Sequence, residues 1–215
     1  FLGRNIKKIM LTSSHASEGK SFTSITLCRK LAERGKRVVL VDTDLRRSMI
    51  TTVYGVQFAP GSKKQGLSHY LAGIAEKEEV LFHTNVPGMD FIPMGHELLN
   101  PIPLLSSERF QNLLDELAEQ YDYVIVDAAP VGVVIDAAEI AKVCDGILLV
   151  VSYNQVHRQE LIDAKNQLEQ TGCPILGTIL NQVEYEGFAN KKYYYKSHYS
   201  SYYKAYEKEA EEKKS

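Results

Sequence analysis

The residues best suited to chemistry in this sequence are Gly19, Lys20 and Ser21, which stand between an apolar run and a helical segment. They match the end of the pattern G-x-x-x-x-G-K-[ST], with Ser14 in place of the first glycine. In such a loop, backbone N–H groups face phosphate oxygens, Lys20 adds a positive charge and the Ser21 hydroxyl can ligate Mg²⁺. The predicted nucleotide-binding segment comprises Ser17, Glu18, Gly19, Lys20, Ser21 and Phe22.

Two further apolar runs each end in an aspartate, Asp42 and Asp127. The carboxyl ends of parallel strands line the ligand crevice of an open sheet, so both acids are expected at one site. Asp127 has the place of the acid that holds magnesium directly or through water. The alternative for either acid is a turn residue that ends its strand. For Lys20 the alternative is an exposed, solvated lysine that merely begins a helix.

Short apolar runs, separated by helical patterns, predict the elements that position these residues. Runs without polar alternation are typical of strands covered on both faces, and intervening helices imply parallel pairing. We therefore predict an α/β fold of the P-loop NTPase type, with a mostly parallel sheet flanked by helices. The predicted strands are 8–13, 37–42, 123–127, 146–151 and 175–180, the predicted helical segments are 22–34, 110–118 and 161–168, and the predicted loops are 52–66 and 94–104.

The end of the sequence differs from the rest in composition. Between residues 190 and 215 the apolar residues are almost all tyrosine or alanine, so this segment cannot build a core. We predict a domain at 1–185 and a flexible tail at 186–215. A sticky or RNA-stacking segment is the alternative reading of such a tail. Its seven tyrosines are Tyr193, Tyr194, Tyr195, Tyr199, Tyr202, Tyr203 and Tyr206.

Length and charge limit the class of protein. The 215 residues suffice for one domain with a tail, and the formal net charge of −2 gives no field for gathering nucleic acid. No apolar run approaches the roughly 18 residues of a membrane span, and no secretory signal opens the printed sequence. A cytoplasmic location and no nucleic-acid partner are therefore expected. Cys28, Cys144 and Cys173 lack metal-ligand spacing and are predicted to be reduced and buried.

The segment 39–47 reads Val-Leu-Val-Asp-Thr-Asp-Leu-Arg-Arg, and the segment 123–131 reads Tyr-Val-Ile-Val-Asp-Ala-Ala-Pro-Val. With the Glu-Gly-Lys-Ser of 18–21, they resemble the A′, Walker B and Walker A motifs of the bacterial tyrosine kinases of capsule and exopolysaccharide operons. The tyrosine-rich tail resembles the autophosphorylated cluster of that family. The resemblance covers nearly the whole chain, and the A′ motif together with the tail is its most specific part.

The resemblance implies an ATP-dependent protein-tyrosine kinase that uses Mg²⁺ and autophosphorylates its C-terminal tyrosines. Asp42 would be the base toward the substrate hydroxyl and would act with Lys20 in catalysis. Asp44 and Asp127 would support magnesium together with the Ser21 hydroxyl. Asn181 stands where relatives contact adenine.

The resemblance also implies partners and a role in regulating capsular or exopolysaccharide synthesis and export. The expected activator is a transmembrane polysaccharide co-polymerase, an adaptor whose cytoplasmic tail completes the nucleotide site and holds the kinase at the inner face of the membrane. A cognate tyrosine phosphatase and further copies of the chain are the other expected partners.

The sequence departs from the family pattern at three points. Ala16 and Ser17 stand where relatives usually have Pro-Gly, so Ser17 occupies a position whose conformation glycine reaches more easily. Pro103 stands where the family has glutamate. The family's N-terminal Glu-x-x-Arg-x-x-Arg helix, which docks neighbouring subunits, is not at the start of the printed sequence, and the oligomeric state is left open.

Two other functions fit the phosphate-binding pattern. One is a partitioning or cell-division ATPase of the same superfamily, which carries a lysine five positions before the P-loop lysine, where this chain has His15. The other is a non-catalytic scaffold for a membrane adaptor, switched by ATP. Asp42 and Asp44 favour the kinase. Incubation with ATP and a phosphotyrosine-specific antibody would separate these functions.

Overall fold

The structure is a computed structural model that describes residues 5–53, 58, 61 and 63–183. Its strands are β1 (Lys8–Ser13), β2 (Val38–Asp42), β3 (Phe82–His83), β4 (Met89–Ile92), β5 (Tyr123–Asp127), β6 (Gly146–Ser152) and β7 (Ile175–Asn181). Across this described part they form one sheet in the order β3-β4-β2-β5-β1-β6-β7. The β3–β4 pair is antiparallel and the other pairs are parallel.

Helices connect and flank these strands. They are α1 (Lys20–Ala32), α2 (Ile50–Val53), α3 (Leu67–Leu71), α4 (Lys77–Val80), α5 (Ile102–Leu105), α6 (Glu108–Gln120), α7 (Asp136–Ala141) and α8 (Arg158–Glu169). α6 shows why a segment becomes a helix here. Ser107 caps its N-terminus by accepting a hydrogen bond from the Phe110 N–H, and its apolar residues recur at helical spacing and are buried.

Both faces of the sheet are covered by apolar side chains. In β2, Val39 and Val41 join the cluster that contains α6, whereas Val38 and Leu40 join the cluster that contains Cys28 of α1. Successive residues of a strand point to opposite faces, so an uninterrupted apolar run fits a strand buried on both sides. The predicted mostly parallel sheet flanked by helices is confirmed.

Most predicted element bounds hold to within one or two residues. β1 and β5 have the predicted bounds, and α1 begins two residues earlier than predicted. β3 and β4 were not predicted, since β3 has only two residues and the four residues of β4 include Asp90 and make a weak apolar run. The loop predicted over 94–104 is wrong at its end, where α5 begins at Ile102 with Pro103 in its first turn, a position that suits proline. The loop predicted at 52–66 begins inside α2 and lies partly outside the described residues.

The described residues up to Gln182 belong to one compact unit. The boundary predicted at residue 185, and the tail at 186–215 with its seven tyrosines, lie outside the described residues. All three cysteines are free, and Cys28 and Cys173 are buried while Cys144 is partly exposed. No helix in the described part of the chain has both the length and the apolar character to cross a bilayer.

Candidate active site

The strand order brings the predicted site residues to one edge of the sheet. β5 lies between β2 and β1, and the register pairs Asp42 with Asp127. Thr43, directly after β2, donates from its backbone N–H and from its hydroxyl to the Asp127 carbonyl oxygen, at 3.0 and 2.8 Å. These two bonds fix the end of β2 against the end of β5. The two strand-end acids therefore lie next to each other, as predicted, and their assignment to a ligand site stays a prediction.

The phosphate-binding loop between β1 and α1 contains two residues in the left-handed backbone region. Gly19 has φ 84° and Ser17 has φ 67°. A Cβ on Gly19 would lie 2.1 Å from the Asn181 Nδ2 atom, so space as well as conformation requires glycine there. Ser17 adopts this conformation although it is not glycine, at a cost of about 1–2 kcal/mol.

The Lys20 amine lies among the acids rather than in solvent. Its residue is 9% exposed, so the alternative of a solvated lysine is wrong. Its Nζ atom lies 3.2 Å from Asp44 Oδ2 and 3.7 Å from Asp127 Oδ2. Burial acts to lower the pKa of Lys20, but attraction by Asp127, Asp44 and Asp42 outweighs burial and the pKa is raised. Lys20 therefore stays charged at neutral pH.

Asp127 is held by two hydroxyls of α1. The Ser21 hydroxyl donates to Oδ2 at 2.6 Å, and the Ser24 hydroxyl lies 2.9 Å from Oδ1. Ser24 was not predicted from the sequence, although its position three residues after Ser21 places both hydroxyls on one helix face. Phe22, the last residue of the predicted nucleotide-binding segment, is 36% exposed.

Asp42 is fully buried, and two groups donate to its carboxylate. The Ser48 hydroxyl donates to Oδ2, and the Asp44 N–H donates to Oδ1 at 3.3 Å. Burial and the neighbouring carboxylate of Asp127 raise the pKa of Asp42 to about 8, against the opposing effects of Ser48 and Lys20. Asp42 is thus a buried acid whose protonation changes near neutral pH. Ser48 was another residue that the sequence analysis missed.

The part of the A′ segment that follows β2 is anchored to distant parts of the chain. Arg46 binds the buried carboxylate of Asp136 through Nε at 2.6 Å and Nη2 at 3.0 Å, and its Nη1 donates to the Leu99 carbonyl at 2.8 Å. Asp136 lies 90 residues further along the chain than Arg46. No local pattern could have identified such a partner.

Asn181 and Glu18 meet at the other side of the loop. The Asn181 Nδ2 atom at the end of β7 donates to the Glu18 carbonyl at 2.9 Å, which places Asn181 beside the phosphate-binding loop. The Glu18 carboxylate points into the protein, where it accepts hydrogen bonds from Ser14, His15 and Ser152. Only the backbone of Glu18, not its side chain, is therefore available to the predicted phosphates. The predicted tail tyrosines lie outside the described residues.

The arrangement gathers three carboxylates around one ammonium. Asp44 and Asp127 alone exceed the charge of Lys20, even when Asp42 is protonated, so the cluster has excess negative charge that a divalent cation would neutralise. The oxygen atoms of Ser21, Asp44 and Asp127 are of the kind that magnesium prefers. Beside them stands the N-terminus of α1, where backbone N–H groups favour phosphate. The edge of the sheet can thus bind a nucleotide phosphate and provide a nearby proton acceptor.

This chain is similar to known proteins over most of its length. Residues 6–172 match the family model of an AAA domain. The tyrosine-protein kinase CpsD of Streptococcus agalactiae serotype III (strain NEM316) is 39% identical over 183 residues, which are 85% of this chain and 77% of that protein. CpsD of Streptococcus pneumoniae is 36% identical over 182 residues, 85% of this chain and 78% of that protein.

Solved structures have a similar fold. The kinase domain of the Escherichia coli tyrosine kinase ETK has a TM-score of 0.80 at 33% identity, covering 89% of this chain and 73% of that chain. The septum site-determining protein MinD of Pyrococcus horikoshii, solved with Mg-ADP, has a TM-score of 0.66 at 22% identity, covering 81% of this chain and 69% of that chain, and shares the fold. The P-loop fold is thereby confirmed, and the chain belongs to the family of bacterial tyrosine-protein kinases.

Proposed function

We propose that this kinase transfers the γ-phosphoryl group of ATP to tyrosine hydroxyls, with its own tail tyrosines among the acceptors. The observation that carries the proposal is the buried Asp42 carboxylate at the strand end adjoining Asp127, with Lys20 and Ser21 close to Asp127. A nucleotide-binding site alone needs one acid for the metal. The additional buried acid supplies a proton acceptor.

Nucleotide binding is assigned to the loop and to Lys20. Backbone N–H groups from Ser17 to Phe22 bind the phosphates, and the Lys20 ammonium stabilises charge at the β and γ phosphates. Asn181, which contacts the loop through the Glu18 carbonyl, lies on the side assigned to adenine. The nucleotide must be a triphosphate, because the transferred γ-phosphoryl group needs a leaving group, and ATP is the triphosphate that membership of the kinase family implies.

Magnesium is assigned to the oxygen atoms of Ser21, Asp44 and Asp127. Among the described residues, His, Cys, Asp and Glu side chains form no cluster of three with metal-binding arrangement. Mg²⁺ does not need such a cluster, since it is bound by one or two carboxylates, water and the phosphates of the substrate. When bound, it would neutralise charge on the phosphates.

Asp42 is assigned the role of accepting the proton of the tyrosine hydroxyl. As the tyrosine oxygen forms its bond to the γ-phosphorus, the phenol proton passes to the Asp42 carboxylate, and the bond to the bridging oxygen breaks to release ADP. A carboxyl group with a pKa of about 8 is a stronger proton acceptor, when ionised, than an ordinary aspartate. Ser48 and the Asp44 N–H orient the carboxylate for this step.

The remaining assignments concern regulation. The tail 186–215 is proposed as the substrate segment, because seven tyrosines occur there with almost no core-forming residues. A transmembrane polysaccharide co-polymerase is proposed to activate the kinase at the inner face of the membrane, a tyrosine phosphatase to reverse the reaction, and copies of the chain to phosphorylate one another. Through this cycle the protein would regulate capsular or exopolysaccharide synthesis and export.

Phosphopeptide mapping by mass spectrometry after incubation with Mg-ATP tests the proposal. The experiment is performed with and without the cytoplasmic segment of the adaptor. We expect phosphate on the tail tyrosines, and a variant with all seven replaced by phenylalanine should lose most phosphotyrosine while retaining ATP affinity. Phosphate found mainly on Tyr70, Tyr121, Tyr123 or Tyr153 would contradict the assignment of the tail as substrate.

A nucleotide-switched ATPase is the second candidate, because the likeness to MinD shows that this fold also occurs in that protein. The position of the lysine that marks such ATPases is taken by His15, whose Nε2 atom lies 3.3 Å from Glu160 Oε1. ATP hydrolysis by the wild-type chain without any phosphotyrosine, in the presence of the adaptor segment, would favour this candidate.

A further inference from the structure

Glu18 has a buried carboxylate that the proposed reaction does not use. The residue is 2% exposed, although it belongs to the phosphate-binding loop. Its Oε1 atom accepts hydrogen bonds from the Ser14 hydroxyl and the His15 N–H, both at 2.6 Å. Its Oε2 atom accepts from the Ser152 N–H at 2.9 Å. One carboxylate thus joins the beginning of the loop, the end of the loop and the last residue of β6.

Side chains from the next strand end hold the backbone of the same loop. Besides the bond from Asn181 to the Glu18 carbonyl, the Gln182 Nε2 atom donates to the Ser17 carbonyl at 3.1 Å. The Ser152 hydroxyl in turn donates to Gln182 Oε1 at 2.5 Å. The carboxylate of Glu18 is therefore the centre of a network that connects the loop to β6 and β7.

Charge alone would make Glu18 unfavourable in a loop that binds phosphates. Glu18→Gln removes a negative charge while nearly preserving shape, and Coulomb's law then predicts tighter binding of the ATP anion. Hydrogen bonding predicts the opposite. The glutamine amide nitrogen can only donate, so it would face either the Ser152 N–H or the donors on Ser14 and His15. Charge and geometry thus predict opposite signs for one substitution.

We propose that Glu18 is a positioning residue that holds the phosphate-binding loop in its binding conformation through these three hydrogen bonds. The loop needs such support because Ser17 has φ 67°, a conformation unfavourable for a residue other than glycine. Ser14 also occupies the place of the first glycine of the general pattern. This inference rests on the proposed binding of ATP by the loop, and it does not depend on tyrosine as the acceptor.

The test is the affinity of the full chain for Mg-ATP, measured by isothermal titration calorimetry. We expect Glu18→Gln to weaken binding by about 10–100-fold, since one or two hydrogen bonds to a charged group are lost. In steady-state kinetics the change should fall on KM for ATP rather than on kcat. Amides of residues 15–19 should also exchange hydrogen faster. Unchanged or tighter ATP binding by Glu18→Gln would overturn the proposal.

Two further variants separate positioning from other effects. Glu160→Gln makes the same chemical change beside the same loop, but its side chain is 40% exposed, and affinity should stay within about twofold. Equal weakening by both glutamine variants would overturn the proposal. Ser14→Ala removes one donor, keeps the carboxylate and should weaken binding by about three- to tenfold. If a thermal melt shows that Glu18→Gln does not fold, the ATP affinity of Ser14→Ala becomes the test. An affinity of Ser14→Ala equal to that of wild type would then refute the role of Glu18.

These measurements separate the inference from the proposed kinase activity. A wild-type chain that binds ATP yet phosphorylates no tyrosine would contradict the proposed function. The effect of Glu18→Gln on ATP affinity could still be measured in that case. A kinase whose ATP affinity is unaffected by Glu18→Gln would retain its function and refute the positioning role.

Discussion

Two buried carboxylates lie at the same edge of the sheet and differ in how they are bonded. Glu18 accepts hydrogen bonds from two backbone N–H groups and one hydroxyl, all within 2.9 Å. Asp42 accepts from the Ser48 hydroxyl and, at 3.3 Å, from one N–H, and burial together with the neighbouring carboxylate of Asp127 raises its pKa. Glu18 is satisfied by its surroundings, whereas Asp42 is held beside like charges.

This difference in bonding indicates that the two carboxylates have different roles. A carboxylate bonded to three donors is held in one orientation and suits the support of a loop. A buried carboxylate beside other carboxylates is destabilised as an ion and therefore takes up a proton more readily. Substitutions at the two positions should consequently affect different quantities: ATP affinity at Glu18 and the rate of phosphoryl transfer at Asp42.

The largest expected effect is that of Lys20→Met, which removes the cation that lies beside Asp44 and Asp127 and is proposed to bind the phosphates. ATP binding should weaken by at least about 100-fold, because charge-assisted contacts to phosphate are lost. Tyrosine phosphorylation should be abolished. The free energy of unfolding, measured without Mg²⁺, should fall by about 1–3 kcal/mol as Asp44 and Asp127 lose their counterion. Autophosphorylation at the wild-type rate would disprove the phosphate-site assignment.

Asp42→Asn should give the next largest effect. The rate of phosphoryl transfer at saturating ATP should fall by about 10²–10⁴-fold, because a positioned proton acceptor is lost. ATP affinity, measured by calorimetry, should change by no more than about threefold. Asp122→Asn, which alters a partly exposed aspartate before β5 and away from the acid cluster, serves as the control and should leave both quantities unchanged. Equal losses of affinity and rate would make Asp42 a metal-site residue instead.

The same substitution should stabilise the protein measured without Mg²⁺ and nucleotide. In the folded protein the pKa of Asp42 is raised from 3.8 to about 8, so the folded state binds more protons between those values. The contribution of Asp42 to stability therefore decreases as pH rises from about 4 to 8. Asp42→Asn removes that dependence and should be about 1–2 kcal/mol more stable than wild type at pH 8. Urea unfolding at pH 5 and pH 8 would measure the difference, which should be smaller at pH 5.

Ser24→Ala should have the smallest effect. Losing the contact between the Ser24 hydroxyl and Asp127 should cost about 1 kcal/mol of stability and reduce the transfer rate several-fold. Thr23→Ala is a matched control, since both hydroxyls lie near the carbonyl four residues earlier but only that of Ser24 reaches Asp127. If the two variants lose the same activity, the contact with Asp127 has no separate role.

The sequence could predict what local patterns determine. β1 and β5 were predicted with the right bounds because their apolar runs are uninterrupted, and the strand-end rule correctly brought Asp42 and Asp127 together. β4 was missed because Asp90 interrupts its short run. The bond between Arg46 and Asp136 and the inward direction of the Glu18 carboxylate depend on contacts across 90 and 134 residues. Such contacts arise from the tertiary fold and leave no mark in local spacing.

The division of work between the two acids is tested most directly by measuring both quantities on both variants. ATP affinity and the single-turnover rate of tail phosphorylation are determined for wild type, Glu18→Gln and Asp42→Asn under the same conditions. We expect Glu18→Gln to lower affinity while the rate at saturating ATP stays close to that of wild type. Asp42→Asn should lower the rate while affinity stays close to that of wild type. Parallel losses of affinity and rate in both variants would contradict the account.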